Sequence, residues 1–450
     1  MSDSLIAKYD QPLPRYTSYP TVPHWQQETP SQEAWKRAVN DAWSGDHTLS
    51  LYLHLPYCES LCTYCACNTR ITKNHTVEEP YIIRLLKEWS IYLDVLEETP
   101  VIGELHMGGG TPTFFSPDHL TQLIKAIRET SVIAPDAAFS FEAHPANTTS
   151  RHLEALREVG FRRISLGIQD FDPKVQLLIH RRQTETQVRA VTSLARIMGY
   201  NSINFDLIYG LPAQTVASVT DTVKRVAEIR PDRIAFYSYA HVPWMRPGQR
   251  SYTEADLPTG EAKRELYETG RELLLQAGYK EIGLDHFALP GDELMTAANT
   301  GHLHRNFMGY TEKETPLLIG LGASSISDAG TMMVQNLKEV EAWSAAVDAG
   351  QLPFFKGHEL TEEDMVLRRH ILNIMCKGKT SWYQETEQCE GQAAAMARLL
   401  PLQQDGLVEL SPFEVKVTPA GKPFLRNIGA CFDARLHHTQ SSAPVFSRTA

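Results

Sequence analysis

Between Leu49 and Ala240 the chain alternates two rhythms. Short runs rich in β-branched and aromatic residues recur as LSLYLHL, GELHMGG, AFSFEAH, RISLGIQD, INFDLIYG and RIAFYSYA. The longer stretches between them, such as EEPYIIRLLKEWSIYLDVL and PDHLTQLIKAIRET, place apolar residues three and four positions apart. The first pattern is that of buried strands and the second that of amphipathic helices. Parallel strands need a crossover long enough to hold a helix, and such crossovers are right-handed, so successive units wind into one parallel sheet. Six units predict an α/β fold, an incomplete TIM-like (β/α)6 barrel. Ligands in such sheets sit at the carboxyl ends of the strands, where the following loops converge.

The rhythm is predicted to run over residues 47–330. Beyond it, TEEDMVLRRHILNIM and GLVELSPFEVKVTPAGKPFL read as helices followed by a β-hairpin, so 331–450 is expected to be a linker and a smaller, winged-helix-like C-terminal domain. Residues 1–46, which include YDQPLPRYTSYPTVPHW, lack periodicity and are expected to pack over the mouth of the site. The formal net charge of -11, with no long basic run, argues against nucleic acid. No apolar stretch reaches the length of a membrane span, and MSDSLIAKYD is not a secretory leader, so the cytosol is expected. Seven cysteines, an odd number with three scattered near the C-terminus, do not suit a disulfide framework.

The other four cysteines crowd into HLPYCESLCTYCACNTR, after the first strand. Cys58, Cys62 and Cys65 have the spacing C-x3-C-x2-C, and Cys67 follows two residues later. Zinc sites generally pair two knuckles far apart in sequence, which three thiols on one loop do not provide. A cubane iron–sulfur cluster fits better, with three irons ligated and the fourth left open for a substrate. A structural zinc site and a chance bunching of buried thiols are the competing readings.

The loop, with Tyr64 before the last ligand, resembles the signature of the radical S-adenosylmethionine (SAM) superfamily. PRYTSYPT, CESLCTYCACN, HMGGGTPT, SLGIQDFD, DLIYGLP, GLDHFA, LHRNFMGYT and FLRNIGACFD together resemble the oxygen-independent coproporphyrinogen III oxidase family from end to end. The resemblance implies a 4Fe-4S cluster on Cys58, Cys62 and Cys65, whose open iron binds SAM and cleaves it to a 5'-deoxyadenosyl radical. It implies that Gly109, Gly110 and Thr111 hold the methionine end of SAM, and that Glu142, Gln169 and Asp206, polar residues read as strand ends at one level, take its ribose and amino-acid groups. Arg181 would take a carboxylate, although the sequence HRR leaves Arg182 as the alternative. Tyr52, Tyr64, Ala240 and Ile326 match further cofactor contacts, each of which also reads as core. Cys67 is a candidate catalytic residue or a packing thiol. Two stretches depart from the family pattern: EAHP at 142–145 and VPWMRPGQR at 242–250.

The resemblance further implies decarboxylation of two propionates of coproporphyrinogen III to vinyls, a second SAM beside the first, an external reductant and a monomer. Arg15 and Arg305 are candidates for the substrate's carboxylates. PRYTSYPT is expected to be a substrate-contacting arm that presents Arg15, Tyr16 and Tyr19. Two rivals share the broader resemblance, a haem-binding trafficking protein and a haem-degrading radical SAM methyltransferase.

Overall fold

The computed structural model describes residues 3–26, 28–45, 47–438 and 446–449. Six strands followed by helices form its centre: β1 (Thr48–Leu55), β2 (Val101–Gly109), β3 (Val132–Ala143), β4 (Arg163–Gln169), β5 (Ser202–Tyr209) and β6 (Arg233–Ser238). Each pairs in parallel with the next. Five of the six α-helices between them are capped by side-chain acceptors at their first turns: Ser116, Thr149, Asp172, Thr184 and Thr215 each take a backbone N–H. Their apolar faces close over Leu49, Leu51, Leu53, Leu105, Phe141, Leu166 and Phe205, all fully buried.

Six further strands join the same sheet: β7 (Lys280–Ile282), β8 (His286–Ala288), β9 (Leu317–Leu321), β10 (Ile326–Asp328), β11 (Met332–Asn336) and β12 (Phe354–Glu359). The order across its twelve strands is β12-β11-β10-β9-β1-β2-β3-β4-β5-β6-β8-β7, with β7 and β12 at opposite edges. The barrel is therefore open, as expected for six β/α units. The predicted boundary at 330 is displaced, because β11 and β12 continue the sheet as antiparallel strands to Glu359. Antiparallel strands need no crossover helix, and none separates β9, β10 and β11, so the alternation that marks the barrel in the sequence is lost before the sheet ends.

The smaller C-terminal unit contains helices Glu362–Lys377 and Gly391–Gln404 and a three-stranded antiparallel sheet made by Lys379–Ser381, Glu414–Val417 and Val408–Ser411. Its core also takes Tyr9, Leu13, Tyr16 and Tyr19 from the N-terminal segment. The two ends of the chain are tied together there: Leu13 N–H donates to Ser447 O at 3.2 Å, and Arg448 pairs with Asp10 at 2.8 Å. Residues 21–45 serve the barrel instead, through Trp25 against Met333 and through helix Gln32–Trp43, whose Trp35 and Val39 enter the main core. No helix among the described residues is long and apolar enough to cross a membrane.

Candidate active site

A cavity of about 800 Å³ opens at the carboxyl ends of β1 to β6. Cys58, Cys62, Cys65 and Cys67 line it together with Tyr64, so the sequence cluster is also a spatial one. The loop that carries them has almost no regular structure and is fixed by its neighbours. Thr63 N–H donates to Ile179 O at 3.0 Å, and Thr63 Oγ1 donates to Leu178 O at 3.0 Å. Cys65 N–H closes a turn onto Cys62 O at 3.1 Å.

Three donors or dipoles face the thiols. Cys58 Sγ lies 3.3 Å from Thr111 Oγ1, Arg181 Nη1 donates to Cys62 Sγ at 3.7 Å, and Cys67 N–H donates to Cys65 Sγ at 3.4 Å. None of the seven cysteines is in a disulfide. Three soft thiol donors on one short loop, stabilised by N–H groups and a guanidinium, suit an iron–sulfur cluster. No three His, Cys, Asp or Glu side chains among the described residues gather around a single point, and a cluster whose ligands reach separate irons does not require them to.

The second loop supplies backbone. Gly109 has φ +111°, and its N–H donates to Glu142 Oε2 at 3.1 Å. A Cβ on Gly110 would fall 2.6 Å from Pro56 O, so only glycine lets this turn pass beside the cysteine loop. Gly110 N–H and Thr111 N–H then donate to Leu55 O and Tyr57 O, at 2.8 and 3.0 Å. Both glycines and Thr111 line the cavity.

Glu142, Gln169 and Asp206 also line it, but not at one level. Gln169 ends β4 with φ +68°, whereas Asp206 lies inside β5, opposite Gly167. Strand tilt brings residues at different distances from their strand ends to the same wall. Burial opposes ionisation of Glu142, yet His106, 3.7 Å away, and the Gly109 N–H hold its carboxyl below the ordinary range. Burial, and then the Glu142 charge, push Asp206 up to about 6, against hydrogen bonds from Ser165 at 3.0 Å and Asn204 at 2.8 Å.

Burial distinguishes the two arginines of HRR. Arg181 is 8% exposed, donates to Gly167 O and to Gln183 at 3.2 Å, and faces the cavity, whereas Arg182 is exposed. Ala240 lines the cavity beyond β6. Tyr52 stands behind the wall, 3.1 Å from His54 Nδ1 and stacked on His106 at 6.0 Å, and it is His106 that reaches the cavity. Ile326 lies outside the lining, packed against the cluster of Trp25, Met333 and Leu360.

Comparison with known proteins decides the family. The Radical SAM superfamily matches residues 52–226. Oxygen-independent coproporphyrinogen III oxidase of Pseudomonas aeruginosa is 39% identical over 96% of this chain and 95% of its own. The Escherichia coli protein of that name is 38% identical over 99% and 97%. The structure of coproporphyrinogen III oxidase from Escherichia coli, described as a radical SAM enzyme, superposes with a TM-score of 0.89 and 36% identity, covering 94% of this chain and all of that one. The chain belongs to the oxygen-independent coproporphyrinogen III oxidase family. It is a radical SAM enzyme, and a 4Fe-4S cluster and SAM are its cofactors.

Within this oxidase fold, three residues of the site escape sequence reasoning. Gln249 is fully buried and joins three segments: its Nε2 donates to Tyr64 O at 3.0 Å and Ala240 O at 3.2 Å, and its Oε1 accepts from Val242 N–H at 2.6 Å. His144 lines the cavity, and burial, then Arg181, keep its imidazole neutral with a value of about 3. His54 Nε2 donates to Asn68 O at 3.0 Å and so ties the end of the cysteine loop back to β1. The two departures, EAHP and VPWMRPGQR, were the only sequence signal for His144 and Gln249.

The N-terminal arm is placed differently from the expectation. Tyr16 and Tyr19 are 1% and 2% exposed in the C-terminal core, with Tyr16 Oη donating to Asp433 at 3.0 Å. Only Arg15 turns toward the cavity, where Nη2 donates to Ser238 O at 2.5 Å and Nη1 lies 3.6 Å from Asp285. Arg305 is buried behind it on the Tyr310 ring, 4.4 Å from the centroid, and donates to Arg15 O at 3.3 Å.

Proposed function

We propose that the enzyme converts coproporphyrinogen III to protoporphyrinogen IX without dioxygen, by oxidative decarboxylation of two propionates to vinyls. The observation that carries this reading is one cavity lined by the three thiols, by most of the SAM-binding candidates and by Arg15, which is held at the end of β6. Each propionate loses one hydrogen atom, one electron and carbon dioxide. When bound, the 4Fe-4S cluster and SAM supply the oxidant that removes the hydrogen from the propionate β-carbon.

The chain's own residues then have distinct tasks. Cys58, Cys62 and Cys65 hold the cluster. Gly109, Gly110, Thr111 and Glu142 receive the amino-acid end of SAM. Arg181, between Cys62 and Gln183, offers its remaining donor to a carboxylate, while Gln169 and Asp206 accept from hydroxyl groups. Tyr64 and Ala240, joined through Gln249, shape the wall against which SAM packs. Cys67, exposed and not needed as a ligand, orients the substrate. Arg15 offers a carboxylate site at the end of β6. A second SAM is consistent with the volume of the cavity and with Gln169, Arg181, Asp206 and Ala240 lining it together; Ile326 stands apart. The cluster takes its electron from an external reductant, and the chain acts as a monomer.

The test is anaerobic product analysis of the reconstituted protein with SAM, dithionite and coproporphyrinogen III. Two carbon dioxide molecules per protoporphyrinogen IX are expected. Porphyrin binding without carbon dioxide would indicate trafficking, and macrocycle opening would indicate the methyltransferase.

A further inference from the structure

The outer side of the cysteine loop carries features that the proposed chemistry does not use. Two segments flank the loop. Residues 175–182 hold Thr63 through Ile179 O and Leu178 O. Residues 242–252 hold it through Gln249, and a Cβ added to Gly248 would lie 3.4 Å from Leu61 Cδ2. Each segment turns large apolar side chains outward: Leu177 is 72% exposed, Trp244 49% and Met245 59%, with Leu61 between them at 44%. Soluble chains rarely gather such residues at one place without a partner.

Charge separates this face from the substrate's entrance. Arg182, Arg246 and Arg250 lie on the same two segments and Lys174 just before the first, and among the described residues none of the four is ion-paired with a carboxylate; Arg250 donates to Pro243 O, at 3.0 Å. The nearby acids lie elsewhere. Glu59 faces His75 at 3.6 Å, Asp172 caps its own helix, and Glu254 and Asp256 lie beyond Tyr252, where Asp256 O takes the N–H of Ala213. Of the apolar residues only Leu61 lines the cavity; Leu177, Trp244, Met245 and the four cations are outside its lining, and Arg246 is near enough to favour the Cys65 thiolate. A substrate entering the cavity would not touch them.

We propose that this face is the docking surface for an acidic one-electron carrier protein that reduces the cluster held by Cys58, Cys62 and Cys65. The inference rests on the cluster assignment above and names the external reductant's chemical class and its landing site. One electron leaves the carrier and enters the cluster; no bond is made or broken and no proton need cross. An unpaired basic rim in a chain of net charge -11 selects an acidic partner and speeds its arrival, while the Trp244 and Met245 side chains give a small apolar centre of the kind brief redox encounters use. Because Leu61 adjoins Cys62, a carrier seated here stands one loop's thickness from the thiols.

The experiment uses reconstituted holoenzyme and a reduced flavodoxin as the acidic carrier, with Trp244→Ser and the double reversal Arg182→Glu/Arg250→Glu. Calorimetric Kd for the flavodoxin should rise about tenfold in each variant, and added salt should weaken wild-type binding far more than that of the charge-reversed protein. Deoxyadenosine formation driven by flavodoxin should fall in parallel, while that driven by dithionite stays at the wild-type level. Unchanged flavodoxin affinity in both variants overturns the proposal. So does a raised KM for coproporphyrinogen III with dithionite, which would make this face a substrate rim, or an equal loss with either reductant. The dithionite-driven wild-type reaction tests the proposed function separately.

Discussion

Asp206 is the residue whose charge state is most exposed to experiment. Its carboxyl, raised to about 6 from an ordinary 3.8, binds a proton more readily in the folded than in the unfolded chain. Folding stability without ligand therefore falls as pH rises between about 4 and 6, then levels. SAM should act in the opposite sense, because its hydroxyl groups need the ionised acceptor. Affinity for SAM is expected to climb to about pH 6 and stay flat above it, and Asp206→Asn should lose about tenfold in affinity at pH 7 together with the slope. Calorimetric titration from pH 5 to 8 checks this, and a slope that survives in the variant would assign the proton elsewhere. Replacing Cys58, Cys62 or Cys65 by Ser should abolish four-iron content and deoxyadenosine formation; Cys67→Ser should retain the iron–sulfur absorbance and lose turnover. That Cys58, Cys62, Cys65, Glu142 and Gln169 gather at one cavity was legible, because the chemistry expected there restricts its groups to few residue types. The level of Asp206 and the separation of Ile326 were not, because strand register and tilt leave no mark in one sequence.

Among the elements, the cysteine loop depends on neighbours far away in the chain. Gln249 fastens it to the end of β6 through Tyr64 O and Ala240 O. Gln249→Ala leaves buried carbonyls and an N–H without partners, a cost of about 1–3 kcal/mol borne mostly by the two loops. A lower Tm and faster loss of iron to a chelator are expected, whereas Gln249→Glu should restore only the bond to Val242 N–H. Such a loop cannot be read from periodicity, since all its order comes from tertiary bonds. The six β/α units could be, because helix and strand periods differ. The same logic explains why the barrel's edge was drawn at 330: β10, β11 and β12 are short antiparallel strands, and nothing in their spacing separates them from a new domain.

At the scale of the whole molecule, the N-terminal arm joins the C-terminal unit to the cavity. Deleting residues 1–22 would remove Tyr9, Leu13, Tyr16 and Tyr19 from the smaller core, and losing even one buried aromatic side chain costs about 3–5 kcal/mol. Cofactor cleavage and substrate conversion should then fail together, with a large drop in Tm. Arg15→Gln separates the two roles: Tm and SAM cleavage should hold, while KM for coproporphyrinogen III rises about tenfold or more. An unchanged KM would remove Arg15 from substrate binding. The knot between residues 10–13 and 447–449 also imposes an order in time. On a ribosome the strands from 48 to 359 emerge well before residues 425–436, 447 and 448, which complete the arm's seat. Until that seat is made, the arm has nothing to close against, and the three thiols of a nascent barrel remain open to the machinery that delivers iron and sulfide.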